Sequence, residues 1–281
     1  MTRIACISLT TLDAESLAKF YETAFGFRRI TSGRPVGIAF AALMQVGRGA
    51  KSISLQLGGE IILLLEPDTP GRPYPPDFSA SSLLFQHFAI VTQDMGEAYR
   101  RLCAVGGWSA ITDPAPQHLP QSSGGVTAFK FRDPDGHPLE LLEFPVAVAP
   151  VYWRRPSTAM SCQGIDHSAI NVADTERSVA FYEKLGFAPI SFSINSGTNQ
   201  SRLDHIEGVE VAVTGLTVSN AAPHLELLRY EFPRRSDEAP LKTSDVAATV
   251  LVLEGCGTKL GDADAWRIIV DPDGHHLAIR G

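Results

Sequence analysis

The sequence predicts an α+β protein made of four related units, each with a strand, a helix and then several strands. Three observations predict this fold: a strand-and-helix pattern that occurs twice, a hairpin motif that occurs twice, and a proline-rich break between the two halves of the chain. One helix per unit beside strands of alternating polarity is typical of an α+β fold with mostly antiparallel strands. The length of 281 residues is enough for two domains.

The first repeat is a short apolar strand followed by a helix that contains Phe-Tyr-Glu and ends at Gly-Phe. An aspartate, Asp13 in one copy and Asp174 in the other, stands close to the start of the helix and is predicted to be its N-cap. Gly26 and Gly186 are predicted to end the two helices in the left-handed conformation. The two copies span Ile4–Phe27 and Ile165–Phe187.

The second repeat is Asp-Pro-Asp-Gly between two strand-like runs, at 133–136 and again at 271–274. Proline presets φ for a turn and glycine tolerates a positive φ, so both copies are predicted to be hairpins. A further helix is predicted around Met95–Gly106, because a strand-like run from Leu83 leads into it.

These repeats divide the chain into four units, and the fourth is predicted to be truncated because too few residues separate Val250 from Trp266 for a full helix. The predicted units are about 1–70, 82–146, 160–235 and 243–281. The segment Pro145–Met160 contains three prolines and is typical of a linker. The predicted domains are therefore 1–146 and 161–281, joined by a linker at 147–160.

Charge and cysteine content exclude several classes of protein. The 24 Lys and Arg against 31 Asp and Glu give a net charge of −7, so neither nucleic acid nor an anionic membrane surface is an expected partner. The cysteines are far apart and form no C-x-x-C pair, which favours the reducing cytoplasm over a disulfide scaffold. They are Cys6, Cys103, Cys162 and Cys256. No signal peptide is expected, and no apolar run approaches the ~20 residues of a membrane span.

The Phe-Tyr-Glu…Gly-Phe helices and the two Asp-Pro-Asp-Gly hairpins resemble those of the vicinal oxygen chelate (VOC) superfamily. This family includes glyoxalase I, extradiol dioxygenases, methylmalonyl-CoA epimerase and the bleomycin and fosfomycin resistance proteins. The resemblance implies four βαβββ modules, here with the fourth truncated, forming two curved half-barrel domains. It also implies a divalent metal ion in a hollow, bound by one residue from the first strand and one from the last strand of each module. The motifs are specific for the fold and weak for the reaction.

Only the second and third modules hold metal-binding side chains at these ligand positions. The first-strand positions, in module order, are Cys6, His87, His167 and about Ala247. The last-strand positions are about Ile62, Glu140, Glu226 and about Ala278. The predicted metal ligands are therefore His87, Glu140, His167 and Glu226. Two imidazoles and two carboxylates suit one divalent ion such as Zn²⁺, Ni²⁺, Co²⁺, Fe²⁺ or Mn²⁺.

The pairing of the modules decides whether these four residues meet. If the first module pairs with the second and the third with the fourth, each hollow contains only one histidine and one glutamate. If the second pairs with the third, one hollow contains all four side chains and the other contains none. The second arrangement resembles that of fused, monomeric glyoxalase I proteins, and the all-or-none distribution of ligands favours it.

The leading functional hypothesis is a metal-dependent glyoxalase-like isomerase, lyase or epimerase acting on a small oxygenated substrate. A metal ion with open positions can bind two adjacent substrate oxygens and stabilise an enediolate. Glu140 matches the position that carries the base in glyoxalase I, so it is predicted to be catalytic, with Glu226 as its counterpart. A fused chain of this kind is expected to be a monomer or a homodimer.

Two alternatives stay open. An extradiol ring-cleaving dioxygenase uses two histidines and one glutamate on Fe²⁺, but the second carboxylate and the truncated fourth module depart from that pattern. A non-catalytic protein of the drug-sequestering type would use the hollow without chemistry, and the retained ligand quartet weakens that hypothesis.

Other residues receive structural predictions. Aromatic residues at helical spacing are predicted to be core residues: Phe20, Tyr21, Phe181 and Tyr182. Histidines beside the hairpin turns are predicted to be exposed: His137, His275 and His276. His118 is predicted to lie in a surface loop, Glu143 to face solvent, and Cys6 to be a small core residue.

Overall fold

The computed structural model of the protein describes residues 2–31, 34–35, 37–154, 161–219, 222–232, 240–256 and 266–280. Within these ranges, the strands form one eight-stranded and one nine-stranded sheet, and a few short helices accompany them. The predicted α+β fold is confirmed. None of the helices in the described ranges is long and apolar enough to cross a membrane.

The first two units both follow the predicted order of strand, helix and strands. The first unit contains β1 (Arg3–Thr10), α1 (Ala14–Phe25), β2 (Arg28–Arg29), β3 (Arg34–Pro35), α2 (Ile38–Leu43), β4 (Lys51–Leu57) and β5 (Glu60–Glu66). The second unit contains β6 (Gln86–Thr92), α3 (Met95–Val105), β7 (Ser109–Ala110), β8 (Gln117–His118), β9 (Thr127–Arg132) and β10 (Pro138–Glu143).

The third unit repeats this order and adds a short helix. It contains β11 (Cys162–Asn171), α4 (Thr175–Glu183), β12 (Ala188–Ser196), α5 (Thr198–Asp204), β13 (Glu210–Thr217) and β14 (His224–Phe232). The fourth unit contains β15 (Thr249–Glu254), β16 (Arg267–Val270) and β17 (His276–Arg280). The prediction that it lacks a full helix concerns residues 257–265, which lie outside the described residues.

Both predicted helix starts are confirmed. The Asp13 carboxylate accepts the backbone N–H groups of Glu15 and Ser16 at 3.0 Å, and Asp174 accepts that of Arg177 at 3.1 Å. These bonds satisfy donors that have no partner within the first turn of a helix. Gly26 and Gly186 follow the two helices with φ of 78° and 95°, which only glycine adopts without strain.

Each sheet combines one unit from each half of the chain. The first sheet has the order β16-β17-β15-β1-β5-β4-β2, with β3 paired to β4. The second has the order β12-β13-β14-β11-β6-β10-β9-β7, with β8 paired to β9. The first unit therefore pairs with the fourth through β1 and β15, and the second with the third through β6 and β11, both antiparallel.

The two repeated motifs contact each other within each half of the chain. The Tyr21 hydroxyl on α1 donates to Asp133 of the first hairpin at 2.8 Å, and the Tyr182 hydroxyl on α4 donates to Asp271 of the second at 3.1 Å. Both tyrosines are fully buried. Sheets join units from different halves, whereas these helix-to-hairpin bonds join neighbouring units of one half.

The prediction that the histidines beside the hairpins are exposed is wrong, because His137, His275 and His276 are all buried. The His137 ring contacts the Asp133 carboxylate through Nδ1 at 2.9 Å and the Thr10 carbonyl through Nε2 at 3.0 Å. Likewise, His275 Nε2 lies 2.8 Å from the Asn171 carbonyl oxygen. The hairpin turns lie near the surface, but the rings of His137 and His275 point inward, where a carboxylate or backbone carbonyl oxygens contact their nitrogens.

The remaining structural predictions have mixed outcomes. Phe20, Tyr21 and Tyr182 are buried as predicted, whereas Phe181 is half-buried against the core. His118 is exposed, and Cys6 is only half-buried; all four cysteines are free. Glu143 does not simply face solvent: it is half-buried and accepts the backbone N–H of Met95 at the start of α3, at 2.6 Å.

Protonation of His137 is predicted to stabilise the fold. Burial opposes the charge, but Asp133 outweighs it and raises the pKa of His137 above its usual 6.5. A folded pKa above the unfolded value means that the stabilisation is complete below pH 6.5 and is lost as the pH rises through the folded pKa. The free energy of unfolding, measured in urea from about pH 5.5 to about pH 8.5, should therefore fall with rising pH.

The variant His137→Asn should flatten this pH dependence, while His118→Asn, which changes an exposed ring, should retain it. An equally steep fall in His137→Asn would contradict the assignment of the effect to this histidine.

Candidate metal centre

The two central strands of the second sheet bring the predicted histidines together. β6 and β11 run antiparallel, with His87 opposite Ala169 and Ala89 opposite His167. Residues opposite each other, and residues two apart on one strand, share a face of the sheet. Both imidazoles therefore point to the same side.

The predicted glutamates flank this pair. β10 lies parallel to β6, and β14 lies parallel to β11. Glu140 pairs with Ala89 in the first ladder and Glu226 with Ala169 in the second, so both carboxylates lie on the face that carries His87 and His167.

All four predicted residues line one cavity, and three of them, without Glu226, form a single group with metal-ligand spacing. Glu140 Oε2 lies 3.3 Å from His87 Nε2 and 3.5 Å from His167 Nε2. Glu226 Oε2 lies 3.6 Å from His167 Nε2. One ligand atom from each of His87, Glu140 and His167 lies within 4.8 Å of the other two, a spacing at which one ion can contact all three.

Burial and mutual charge set the protonation of these groups. Burial by itself would raise the pKa of both glutamates. The neighbouring histidines and Lys130 outweigh it at Glu140 and hold the pKa of that carboxyl well below its usual range. The neighbouring histidines likewise lower the pKa of Glu226 to about 2. Burial lowers the pKa of His87, whereas Glu226 and the neighbouring Asp166 and Glu140 raise that of His167 against its burial. Both glutamates are therefore ionised and available as ligands.

One orphaned atom tests whether these residues fit a metal ion. His167 Nε2 is buried and makes no hydrogen bond to any described residue, although two carboxylate oxygens face it at 3.5 and 3.6 Å. Buried polar atoms are normally paired. A divalent cation among His87, Glu140 and His167 would pair this atom, and two imidazoles with a carboxylate suit Zn²⁺ and similar ions. The residues fit the ion.

A β-bulge adds a residue that alternation along the strand does not predict. The β6–β11 register shifts between Ile165 and His167, so Asp166 lines the same cavity as His167 instead of the opposite face. The backbone N–H of Ile165 beside the bulge donates to Glu60 Oε2 at 3.1 Å. Asp166 Oδ2 in turn lies 3.1 Å from His167 Nδ1.

Asp166 orients the ring of His167. A carboxylate at Nδ1 favours the tautomer with its proton there and leaves Nε2 free to bind a metal. The other oxygen of Asp166 accepts the indole N–H of Trp153 at 2.6 Å. This chain of contacts links the segment between the two halves to the metal centre. The adjacent Asp-His pair was visible in the sequence, but the bulge was not.

His224 is a second residue that ligand-position reasoning missed. It stands two residues before Glu226 and therefore lies on the same face of β14; its Nε2 lies 3.4 Å from Glu226 Oε1 and its Nδ1 lies 3.7 Å from Asp166 Oδ2. Asp166, His167 and His224 form a second group with metal-ligand spacing. The two-residue spacing within one strand was the available signal.

The corresponding positions of the first sheet lack these donors. Cys6 and Ile62 lie on β1 and β5, Ala278 lies on β17, and Ala247 precedes β15. Burial raises the pKa of the Cys6 thiol to about 12, so it is not a thiolate. In the part of the chain that the structure describes, the groups with metal-ligand spacing all belong to the second sheet.

The cluster lies in a cavity of about 630 Å³ between the second and third units. Apolar side chains from both units line it, including Leu142 and Leu228, and Val148, Pro150 and Tyr152 contribute from the connecting segment. A mostly apolar hollow with a few convergent polar groups is typical of a small-molecule site.

Comparisons with known proteins agree with this architecture. Among solved structures, glyoxalase I from Zea mays has a TM-score of 0.59 at 17% identity, and a variant of the same protein has 0.62 at 17%. Each comparison covers 99% of this chain and 92% of the other. At this identity, the likeness demonstrates the fold alone.

Two curated relatives match locally. Over 100 residues, 36% of this chain, the sequence is 34% identical to a lactoylglutathione lyase of Arabidopsis thaliana and to a putative lactoylglutathione lyase of Brassica oleracea var. gemmifera. The match spans 29% of the length of each relative. The Glyoxalase/Bleomycin resistance protein/Dioxygenase superfamily matches residues 3–141 and 164–279, and thus most of both halves. The chain belongs to this superfamily.

Proposed function

We propose that the protein is a divalent-metal-dependent lyase or isomerase of the glyoxalase type, with His87, Glu140, His167 and Glu226 as metal ligands. The observation that carries the proposal is the meeting of two imidazoles and two carboxylates in an apolar cavity, with His167 Nε2 left unpaired at their centre. A bound divalent ion would supply electrostatic stabilisation of negative charge that develops on two adjacent substrate oxygens.

The two glutamates are the proposed proton acceptors. Glu140 contacts both histidines and its side chain is 8% exposed, whereas Glu226 contacts His167 and is 23% exposed. Each carboxylate can take a proton from a substrate carbon when it is not engaged as a ligand. Because β10 and β14 flank the histidines from opposite sides, the pair offers an acceptor on either side of the substrate.

The proposed substrate is a small carbonyl compound with a second oxygen on the adjacent carbon. The names of the two curated relatives make hemithioacetals of α-ketoaldehydes the first compounds to test. The cavity of about 630 Å³ has room for a ligand of this size.

Extradiol dioxygenase activity is a second candidate, which one observation favours. His87, Glu140 and His167 form a tight group of two histidines and one carboxylate, the donor set of non-haem Fe²⁺ oxygenases. Glu226 counts against it, because a second carboxylate beside His167 would occupy a position that catechol or O₂ needs.

Metal binding provides the first test. Chelator-treated protein should bind about one equivalent of Zn²⁺ in isothermal titration calorimetry, and His87→Ala and His167→Ala should each weaken binding more than about 100-fold. Asp166→Asn, which loses the carboxylate at His167 Nδ1, should weaken binding about 10-fold.

The exposed His118→Ala is the matched control and should bind as the wild type does. Clearly substoichiometric binding by the wild type would contradict the metal proposal and favour a binding protein without chemistry.

Turnover provides the second test. The metal-loaded protein should convert the hemithioacetal of glutathione and methylglyoxal to a thioester, and Glu140→Gln and Glu226→Gln should each lower kcat/KM at least about 100-fold. Glu231→Gln is the control, because this exposed residue of β14 pairs with Arg229 away from the cluster and should change turnover less than about twofold.

The two candidate activities separate in an oxygen electrode. The glyoxalase proposal expects no oxygen uptake with catechols by the Fe²⁺-loaded protein. Uptake that His87→Ala abolishes, without any thioester formation, would replace the glyoxalase proposal with the dioxygenase.

A further inference from the structure

A second polar cluster lies at one side of the same cavity. It consists of Lys130 on β9, Gln200 and Asp204 on α5, and Tyr230 on β14, and we refer to it as the polar corner. Lys130 Nζ lies 2.6 Å from Asp204 Oδ1, and Gln200 Nε2 donates to Asp204 Oδ2 at 2.7 Å. The Lys130 and Asp204 side chains are 5% and 0% exposed, so the two charges compensate each other within the protein.

Two atoms of the polar corner make no hydrogen bond of normal length to a described residue: Gln200 Oε1 and the Tyr230 hydroxyl. Both residues line the cavity, and they are only 3% and 6% exposed. The orientation of the Gln200 amide is fixed because an ionised carboxylate accepts and cannot donate, so Nε2 faces Asp204 and Oε1 is the free atom. Burial, the charge of Asp204 and a weak contact of the hydroxyl with that carboxylate raise the pKa of Tyr230, so its hydroxyl keeps its proton.

The polar corner begins beside the metal centre and is held rigidly. Lys130 pairs with Glu140 across the β9–β10 ladder, so the two side chains are neighbours on one face. Two bonds fix α5 against the second unit: Thr112 Oγ1 donates to the Leu203 carbonyl at 2.9 Å, and the Asp113 N–H donates to the Arg202 carbonyl at 3.1 Å.

On the Glu226 side of the metal centre, no side chain corresponds to Lys130. The position that pairs with Glu226 across the β13–β14 ladder is Gly215, which has no side chain. The four ligand positions come in matched pairs from the second and third units, but their surroundings do not match. The charged side chain beside Glu140 in its ladder therefore has no counterpart beside Glu226.

The free atoms define the chemistry of the group they suit. Gln200 Oε1 accepts only, the Tyr230 hydroxyl can donate, and the compensated charges of Lys130 and Asp204 leave no net charge to attract an anion. Leu203 and Leu228 supply apolar surface nearby. An unpaired buried polar atom is costly until a ligand pairs it, which makes such a site selective.

We propose that the polar corner binds a neutral hydroxyl or carboxamide group of the substrate, which donates to Gln200 Oε1 and accepts from the Tyr230 hydroxyl. A carboxylate does not suit it, because it cannot donate to Gln200. This inference rests on the proposed function, since it concerns the part of the substrate beyond the oxygens at the metal.

Hydroxamates test the polar corner without turnover, because they hold a divalent ion through two adjacent oxygens. The probes are benzohydroxamate and phenylacetohydroxamate, each unsubstituted or with a 4-hydroxy, 4-carboxamide or 4-carboxylate group. In titration calorimetry on the zinc-loaded protein, the 4-hydroxy or 4-carboxamide form of at least one series should bind about fivefold tighter than its parent. The 4-carboxylate should bind more weakly than the parent.

Tyr230→Phe and Gln200→Met should abolish this preference and leave the Kd of the parent within about twofold. Tyr99→Phe, a half-buried tyrosine on α3, is the control and should keep the preference. Three results would each overturn the proposal. The first is equal affinity within both series in the wild type, the second is tightest binding of the carboxylate, and the third is a preference that survives in both variants. Failure of both parent hydroxamates to bind would instead contradict the metal centre and the proposed function.

A second measurement decides the polar corner independently of any metal. Because the Tyr230 hydroxyl makes only a weak contact with Asp204 and no hydrogen bond of normal length to a described residue, Tyr230→Phe should leave the urea midpoint of unfolding of the chelator-treated protein unchanged or raise it. Tyr21→Phe, which loses the bond to Asp133, should lower it. A comparable fall for Tyr230→Phe would mean that its hydroxyl is bonded within the protein, and would overturn the proposal.

Discussion

The antiparallel pairing of β6 with β11 is the contact on which the candidate site depends. It places His87 and His167 on one face of a sheet that neither half of the chain builds alone. β10 and β14 then attach to the outer sides of this pair and add the two glutamates. Loss of this pairing would separate His87 and Glu140 from His167, so the group of two histidines and one carboxylate could not form.

Two kinds of contact hold the four units together. Within each half, a buried tyrosine on a helix bonds to an aspartate of the following hairpin, as Tyr21 does to Asp133. Between halves, backbone ladders join the strands. The sequence motifs that carry the family resemblance are therefore structural: they fix neighbouring units against each other, while the chemistry depends on side chains outside the motifs.

The sequence predicts the fold and the shared sheet face of the four residues, because repeats and strand alternation are local signals. It fails at Asp166, because a bulge depends on the register with a partner strand and on Glu60 from the first sheet. It also fails at His137, since the buried ring bonds the Thr10 carbonyl on β1, more than 100 residues earlier in the chain. The assignment of the four residues as ligands stays a prediction until an ion is measured.

The segment that joins the two halves of the chain also forms part of the wall of the cavity. Val148, Pro150 and Tyr152 form part of the cavity wall, and Trp153 lies close against Gly164, where any added side-chain carbon would collide with its ring. This stretch is thus not a passive tether. Shortening it, cutting it, or expressing the halves as separate polypeptides would remove part of the enclosure around the site, so covalent continuity here contributes to the shape of the cavity as well as to the connection.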